Sequence, residues 1–488
     1  MARRSLVLAL ILAVAGLAAA SRRASAQDSW PQKIRDIRVF DNTKTATGTV
    51  IDLCGVSTGE EFTPDQLETV KSKLVNSGLF SEVNLYYEPY EDGIRLNIVA
   101  RDKFAWFAAP TFSASDGNVG GGIVFGHTNL FGRNKKLVLY AALFSSDSRF
   151  LVAYQDPALF GSRVFWRFDG GVARSKIDEF NLDLASDANL SNPELFRRTP
   201  VWQTGAGIQI GLNLPLHLRL AAYYRIQDLT YEKACISQDC ANGSIFPSSP
   251  LLTTANGVDQ PSPDGREAYF HFDFGYDSTV NTWGIKTGTA IGAWYEYGDK
   301  SIGSSFKYDK FGGGIRHQIR FFEEHNLILR GGAAYAENPP FTEEFEAGGS
   351  GLRGFNYREF RGDTSFDGHI EYYIPFFWAY SMAFRGLVFY DSQAVWFRNI
   401  DASMVTPGGT YMVVHPDGTY RTFLPELDGA GMPHTPTAGL HRANWHNGVG
   451  GGLRLYLKSI NIPLLGFDFG YGLESREVRF YVALGLSE

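Results

Sequence analysis

Residues 267–277 read Glu-Ala-Tyr-Phe-His-Phe-Asp-Phe-Gly-Tyr-Asp. Phe270, Phe272, Phe274 and Tyr276 alternate with Tyr269, His271, Asp273, Gly275 and Asp277. An extended strand points successive side chains to opposite faces, so one face is aromatic and the other is largely polar. A soluble core would bury the aromatic face as well. The His and Asp opposite it fit a wet lumen, and Phe and Tyr fit lipid. The stretch also has the ~9–11 residues that a tilted strand needs to cross a bilayer.

The same reading extends over the rest of the chain from residue 104. Strand-like segments fall at 104–112, 118–127, 135–145, 149–157, 163–176, 202–214, 216–232, 267–278, 285–299, 306–323, 327–338, 366–377, 380–396, 446–458, 463–474 and 478–487, sixteen in all. An even count suits a bacterial transmembrane barrel. Alternate connections are long, at 177–201, 233–265, 339–365 and 397–445, while the others are short, such as 214–217 and 323–326. Long outer loops and short periplasmic turns are the expected asymmetry. With Gly 53, Tyr 24, Phe 37 and Trp 9, a mean hydropathy of -0.16 agrees with strands that are apolar on one side only. After residue 27 no stretch reads as a membrane helix, because the most apolar window, 373–384, is short and contains Pro375.

The N-terminus predicts export. Arg3 and Arg4 precede an apolar run from Leu6 to Ala20, and Ala24-Ser25-Ala26 offers a cleavage site before Gln27. Residues 1–26 therefore read as a signal peptide. Arg22 and Arg23 interrupt the usual layout, which keeps cleavage after Ala20 as an alternative. The net charge of -7 gives no general surface for polyanions, so nucleic acid is not an expected partner. Cys235 and Cys240 lie five apart in a polar loop and form a candidate disulfide, leaving Cys54 as a buried thiol.

Residues 28–102 read as a small α+β domain. A strand carrying Ile34, Ile37 and Val39 is followed by a helical turn near Val50 to Leu53. Thr63-Pro64-Asp65-Gln66 then starts a helix as a capping box. Leu67, Val70, Leu74 and Val75 share one helical face, and Gly78 ends the helix. Two strands, one with Val83, Leu85 and Tyr87 and one with Ile94, Leu96 and Ile98, are joined by a turn at Asp92-Gly93. An open sheet edge in such a domain can accept an extended peptide. A plain spacer fits the same pattern.

Inside the long connection 339–365 lies Gly351-Leu352-Arg353-Gly354-Phe355. The next strand presents His369, Glu371 and Tyr373 on one face, and the one after it places Asp391 with Leu387 and Phe389. If the loop folds inward, Arg353 can reach Asp391 or Glu371, since a guanidinium fork matches a carboxylate. An exposed Arg-Gly turn is the plainer reading of the same residues. If the inward reading holds, Arg353→Ala loosens the loop more than Arg358→Ala does.

These motifs resemble the BamA/TamA-like superfamily of outer-membrane assembly factors. Leu352-Arg353-Gly354-Phe355 is similar to that family's sixth-loop motif, and LVFYD, ending at Asp391, to its thirteenth-strand signature. NLFGRNKKL (129–137), YQDPALFGS (154–162) and GFDFGYGLE (466–474) resemble its turns and last hairpin. GEEFTPDQLETVKSKLVNSGLFSEVNLYYEPYEDGIRLNIVARDK resembles a single POTRA domain. Gln393 stands where the family pattern has Gly, and the sequence closes on Gly-Leu-Ser-Glu rather than an aromatic. The resemblance implies an all-β transmembrane barrel of 16 antiparallel strands over 104–488, in the outer membrane, with a periplasmic POTRA-like domain over 28–102. It implies that Arg353 anchors the loop on Asp391, with Glu371 as a second partner. It further implies insertion or assembly of outer-membrane proteins, with unfolded client proteins, outer-membrane lipids and accessory periplasmic lipoproteins as partners. A dedicated secretion or solute channel is the alternative. No catalytic residue, cofactor or metal is expected, because Gly-x-Ser-x-Gly, His/Glu metal spacing and a Gly-rich phosphate loop do not stand out.

Overall fold

The computed structural model describes residues 30–488 apart from 116–117, 182–193, 233, 237–259, 283–284, 381, 399–403, 406–410, 424–425, 428–432, 435–443, 458–459 and 485–488. The expected signal peptide and Cys240 lie outside the described residues. Two compact units divide the chain, one up to Ala105 that also takes Phe131–Asn134, and one formed by the remainder.

The first unit runs β1 (Gln32–Phe40), α1 (Thr47–Cys54), β2 (Glu61–Phe62), α2 (Gln66–Asn76), β3 (Phe80–Tyr90) and β4 (Gly93–Asp102). The sheet order is β2-β1-β4-β3, with β1 parallel to β4. Ile34, Val50, Phe62, Val70, Leu74, Val83, Leu96 and Ile98 form one buried core. Gln66 makes half of the expected capping box, its Oε1 accepting from the Thr63 backbone N–H at 2.8 Å.

Three local expectations are corrected. Val75 is half exposed, because the buried stripe of this short helix narrows to Val70 and Leu74. The hairpin turn is Glu91-Asp92, with Glu91 at φ 54, and Gly93 already pairs with Tyr90 in the ladder. The short strand β2, absent from the sequence reading, covers part of the β1 edge.

Cys54 is fully buried in this core and forms no disulfide. Burial pushes its thiol up to about 12, so the thiolate that reacts with disulfide reagents is scarce at neutral pH. In a chain with Cys235 and Cys240 replaced by Ser, a thiol reagent is expected to label Cys54 only once this unit unfolds. Rapid labelling under native conditions contradicts the burial.

The second unit is a closed barrel. Its sixteen long strands are β5 (Trp106–Ser115), β6 (Asn118–Leu130), β7 (Lys135–Phe144), β8 (Asp147–Asp156), β9 (Val164–Asn181), β10 (Glu194–Asn213), β11 (Leu218–Tyr231), β12 (Gly265–Asp277), β13 (Ile285–Gly298), β14 (Tyr308–Phe321), β15 (His325–Glu337), β16 (Thr364–Ala379), β17 (Met382–Trp396), β18 (Trp445–Leu457), β19 (Ile460–Gly472) and β20 (Val478–Leu484). Each pairs antiparallel with its neighbours, and β20 closes on β5. Two short strands, Cys235–Ile236 and Val280–Thr282, join the same sheet.

The alternation in β12 sorts as its chemistry demands. Phe270, Phe272 and Phe274 are exposed, whereas His271 is held between Glu296 and Asp273 at 3.0 and 3.1 Å. Among the described residues no helix is long and apolar enough to cross a membrane; the strands are the crossing elements. One rim carries the short connections 131–134, 214–217 and 322–324, and the other carries 232–264, 338–363 and 397–444. The connection read as 177–201 shrinks to 182–193, because the β9–β10 ladder continues outward to Asn181 and Glu194.

Candidate functional site

Two adjacent strands and one neighbour build the wall of the site. In β16 and β17 the register sets His369 opposite Asp391. Alternation brings Glu371 and Tyr373, and Leu387, Phe389 and Asp391, to the buried inner face. The third carboxylate of the wall, Asp468 of β19, is buried between the exposed Phe467 and Phe469. Between β17 and β19 runs β18 with Gly448, Gly450 and Gly452 on its inner face, so the wall there has no side chains to fill the lumen.

The connection 338–363 folds onto this bare wall. Arg353 donates from Nε and Nη2 to the two oxygens of Asp391 at 2.7 and 2.8 Å, and its backbone N–H donates to Oδ2 at 3.2 Å. Nη2 also reaches Glu371 at 3.1 Å, and Nη1 reaches Asp468 at 3.2 Å. The guanidinium carbon lies 3.3 Å from the Phe389 ring centroid, so the face of the fork is covered as well as its edges. Arg330 binds Glu371 at 3.0 Å, and Arg454 binds Asp468 at 2.5 and 2.8 Å. Three guanidiniums therefore meet three carboxylates, with His369 3.1 Å from Asp391. A buried charge is tolerable in such a setting only because every partner is present.

The residues around Arg353 fix the backbone. Gly354 has φ 109, and a Cβ there would lie 2.3 Å from the backbone nitrogen of Gly472. Its N–H donates to Tyr481 Oη at 2.8 Å, and its carbonyl accepts from Ser475 Oγ at 3.0 Å. Leu352 and Phe355 are fully buried with Ala347, Phe360 and Val395, and His446 stacks on Phe360 at 3.8 Å. The structure thus brings together Leu352, Arg353, Gly354, Phe355, Glu371 and Asp391. Asp468, Tyr481 and Ser475 are additions that the sequence reading missed. The signal for Asp468 was available: an acid alternating with Phe467 and Phe469 must face the lumen.

Two expectations stand differently. Arg358, whose replacement was expected to loosen the loop less than that of Arg353, is itself held in place: Asp147 and Glu346 take its guanidinium at 3.2 and 2.6 Å. Of the candidate disulfide, Cys235 lies in the short strand 235–236 and Cys240 lies outside the described residues.

Residues 129–487, most of the chain, match the Omp85 superfamily domain. The chain belongs to the Omp85 superfamily. Its fold is similar to that of BamA from Haemophilus ducreyi lacking POTRA domains 1-3, at 15% identity and a TM-score of 0.59, covering 93% of this chain and 84% of that one. It is also similar to CdiB from Acinetobacter baumannii (13% identity, TM-score 0.54, 93% and 74% covered). CdiB from Escherichia coli gives 11% identity, a TM-score of 0.56, and 93% and 76% covered. No curated protein matches the sequence. An Omp85 barrel is an outer-membrane barrel, which places this chain in that membrane. Among the described residues of this Omp85 barrel, β20 meets β5 at the seam through Val482↔Ala114, Ala483↔Ser113 and Leu484↔Phe112.

Proposed function

We propose that this protein inserts unfolded client proteins into the outer membrane by lending them strand edges at the seam. The observation that carries the reading is the seam itself. Among the described residues three register pairs join β20 to β5, against seven between β19 and β20 and ten between β5 and β6. Backbone groups in hydrocarbon must be hydrogen-bonded, at several kcal/mol for each one left unmade. A client strand that pairs with the seam edge of β5 avoids that cost while it enters lipid. The work is strand exchange, with no covalent step.

In this reading residues 28–102 are a periplasmic POTRA-like domain, and 104–488 are the membrane barrel. The outer edge of β3 offers an extended client a first place to pair. Arg353, seated on Asp391, Glu371 and Asp468, holds the long loop inside the barrel, with Leu352, Gly354 and Phe355 shaping its turn. Outer-membrane lipids surround the barrel, and accessory periplasmic lipoproteins are further candidate partners.

Depletion in the native host tests the proposal. Insertion predicts that several barrel proteins fall together in the outer membrane. Loss of one exported protein alone would instead mark a dedicated secretion pore. Unchanged proteins with altered solute uptake would mark a channel. Either of the last two outcomes overturns the insertion reading.

A further inference from the structure

Resting on the seam reading above, we infer that loop residues 354–358 form an internal latch that holds the seam shut, with Asp147 as its catch. The latch has two ends. At one, the last strand is gripped by the loop backbone: Gly354 donates to Tyr481 Oη at 2.8 Å, and that hydroxyl donates to the Phe355 carbonyl at 3.2 Å. Arg479 of the same strand donates to Asn356 Oδ1 at 2.6 Å. At the other end, Tyr357 Oη donates to Asp147 Oδ2 at 2.7 Å and Arg358 Nη1 to Oδ1 at 3.2 Å. Asp147 opens β8 and is buried.

Position gives these bonds their meaning. In the barrel order β20 is followed by β5, β6, β7 and β8. Five consecutive loop residues thus span the chord from the last strand to the fourth, inside the wall that contains the seam. A cavity of about 360 Å³ adjoins this chord, lined by Ser113, Ala114 and Ser115 of β5 and by Arg353, Tyr357 and Tyr481. The chord fixes the distance between β20 and β8, while β5 meets β20 through three pairs among the described residues. Parting the seam with the chord intact would require β5, β6 and β7 to buckle. Releasing Asp147 lets β8 and β5 move away together.

The turn is built for this reach. Arg358 has φ 56, a conformation that non-glycine residues adopt rarely. Its Nε is tied back to Glu346 of the same loop at 2.6 Å, and its guanidinium lies 4.9 Å from the Tyr357 ring. Asp147 is thus one carboxylate serving two donors from the loop. Removing it frees the β8 end and leaves every partner of Arg353 in place, which separates the latch from the lock.

Hydrogen exchange of the full-length protein in lipid nanodiscs tests the latch. Amide exchange at a protected pair tracks the population of the open state. Asp147→Ala removes two hydrogen bonds to a charged group, so exchange in peptides covering β5 and β20 is expected to speed up about ten-fold. Exchange in β12 to β14 should not change. Asp147→Asn, which keeps one acceptor, should fall between. Unchanged seam exchange overturns the latch, and so does acceleration throughout the barrel. If Asp147→Ala does not fold, Tyr357→Phe with Arg358→Gln is read in the same way. The measurement reports on the seam whether clients are inserted or exported, so its outcome is independent of client levels in a depleted host.

Discussion

Arg353→Ala is expected to abolish complementation in a host depleted of the parent protein and to leave the long loop open to protease. The substitution removes the donor shared by Asp391, Glu371 and Asp468. Asp391 is fully buried and keeps only His369 as a side-chain partner in the lumen. Breaking a buried pair from one side costs about 3–5 kcal/mol, because the remaining charge cannot be solvated. At 1.4 kcal/mol per ten-fold, the loop shifts toward the unseated state by about a hundred-fold to several thousand-fold. Arg353→Lys should recover only part of this, since an ammonium keeps the charge but cannot bridge three carboxylates as a planar fork does. The comparator is Arg266→Ala. Arg266 pairs with Asp228, and both side chains are more than half exposed, so that pair is worth little. Arg358 is unsuitable as a comparator because it belongs to the latch. Equal loss in Arg353→Ala and Arg266→Ala would end the assignment of Arg353 as an anchor.

The sixteen strands were legible because each one crosses between lipid and water, which forces a period of two on its side chains. In β12 that period is complete from Tyr269 to Asp277, and the element boundary agrees to within two residues. The pairing of Arg353 with Asp391 was legible for a related reason: one residue sits in a loop rich in glycine, and the other shares a strand face with Leu387 and Phe389. What the sequence hid depends on closure in three dimensions. Alternation sends Asp468 to the lumen, but its pairing with Arg353, 115 residues away, and that of Asp147 with Arg358, 211 away, leave no periodic trace. Val75 shows the limit on the helical side. Apolar residues at helical spacing mark a face, but the width of the buried stripe depends on what packs against it.

Glycine explains the largest omission and gives the second strong prediction. A glycine in a strand adds nothing to an alternation, so Gly448 passed unnoticed in the sequence. In the structure a Cβ on Gly448 would lie 1.9 Å from the carbonyl oxygen of Arg353. Neither side of that contact can give way easily. Gly448 is held in register by Asp391 on β17 and Gly472 on β19, and the Arg353 backbone is held by its own hydrogen bonds. Gly448→Ala must therefore lift the loop by about 1 Å or more to reach ordinary contact, which stretches bonds of 2.7 and 2.8 Å to Asp391 beyond useful length. Function and protease resistance should fall about as far as in Arg353→Ala, although no charge is changed. Gly368→Ala is the matched control: it lies on β16, two strands away, and a Cβ there meets nothing within 4 Å. If the methyl and the missing guanidinium both act by unseating the loop, their effects will not add. The double variant Gly448→Ala with Arg353→Ala should then be little worse than either single one. Additive losses, or a Gly448→Ala protein that behaves like Gly368→Ala, would mean that the loop does not rest on this floor in the membrane.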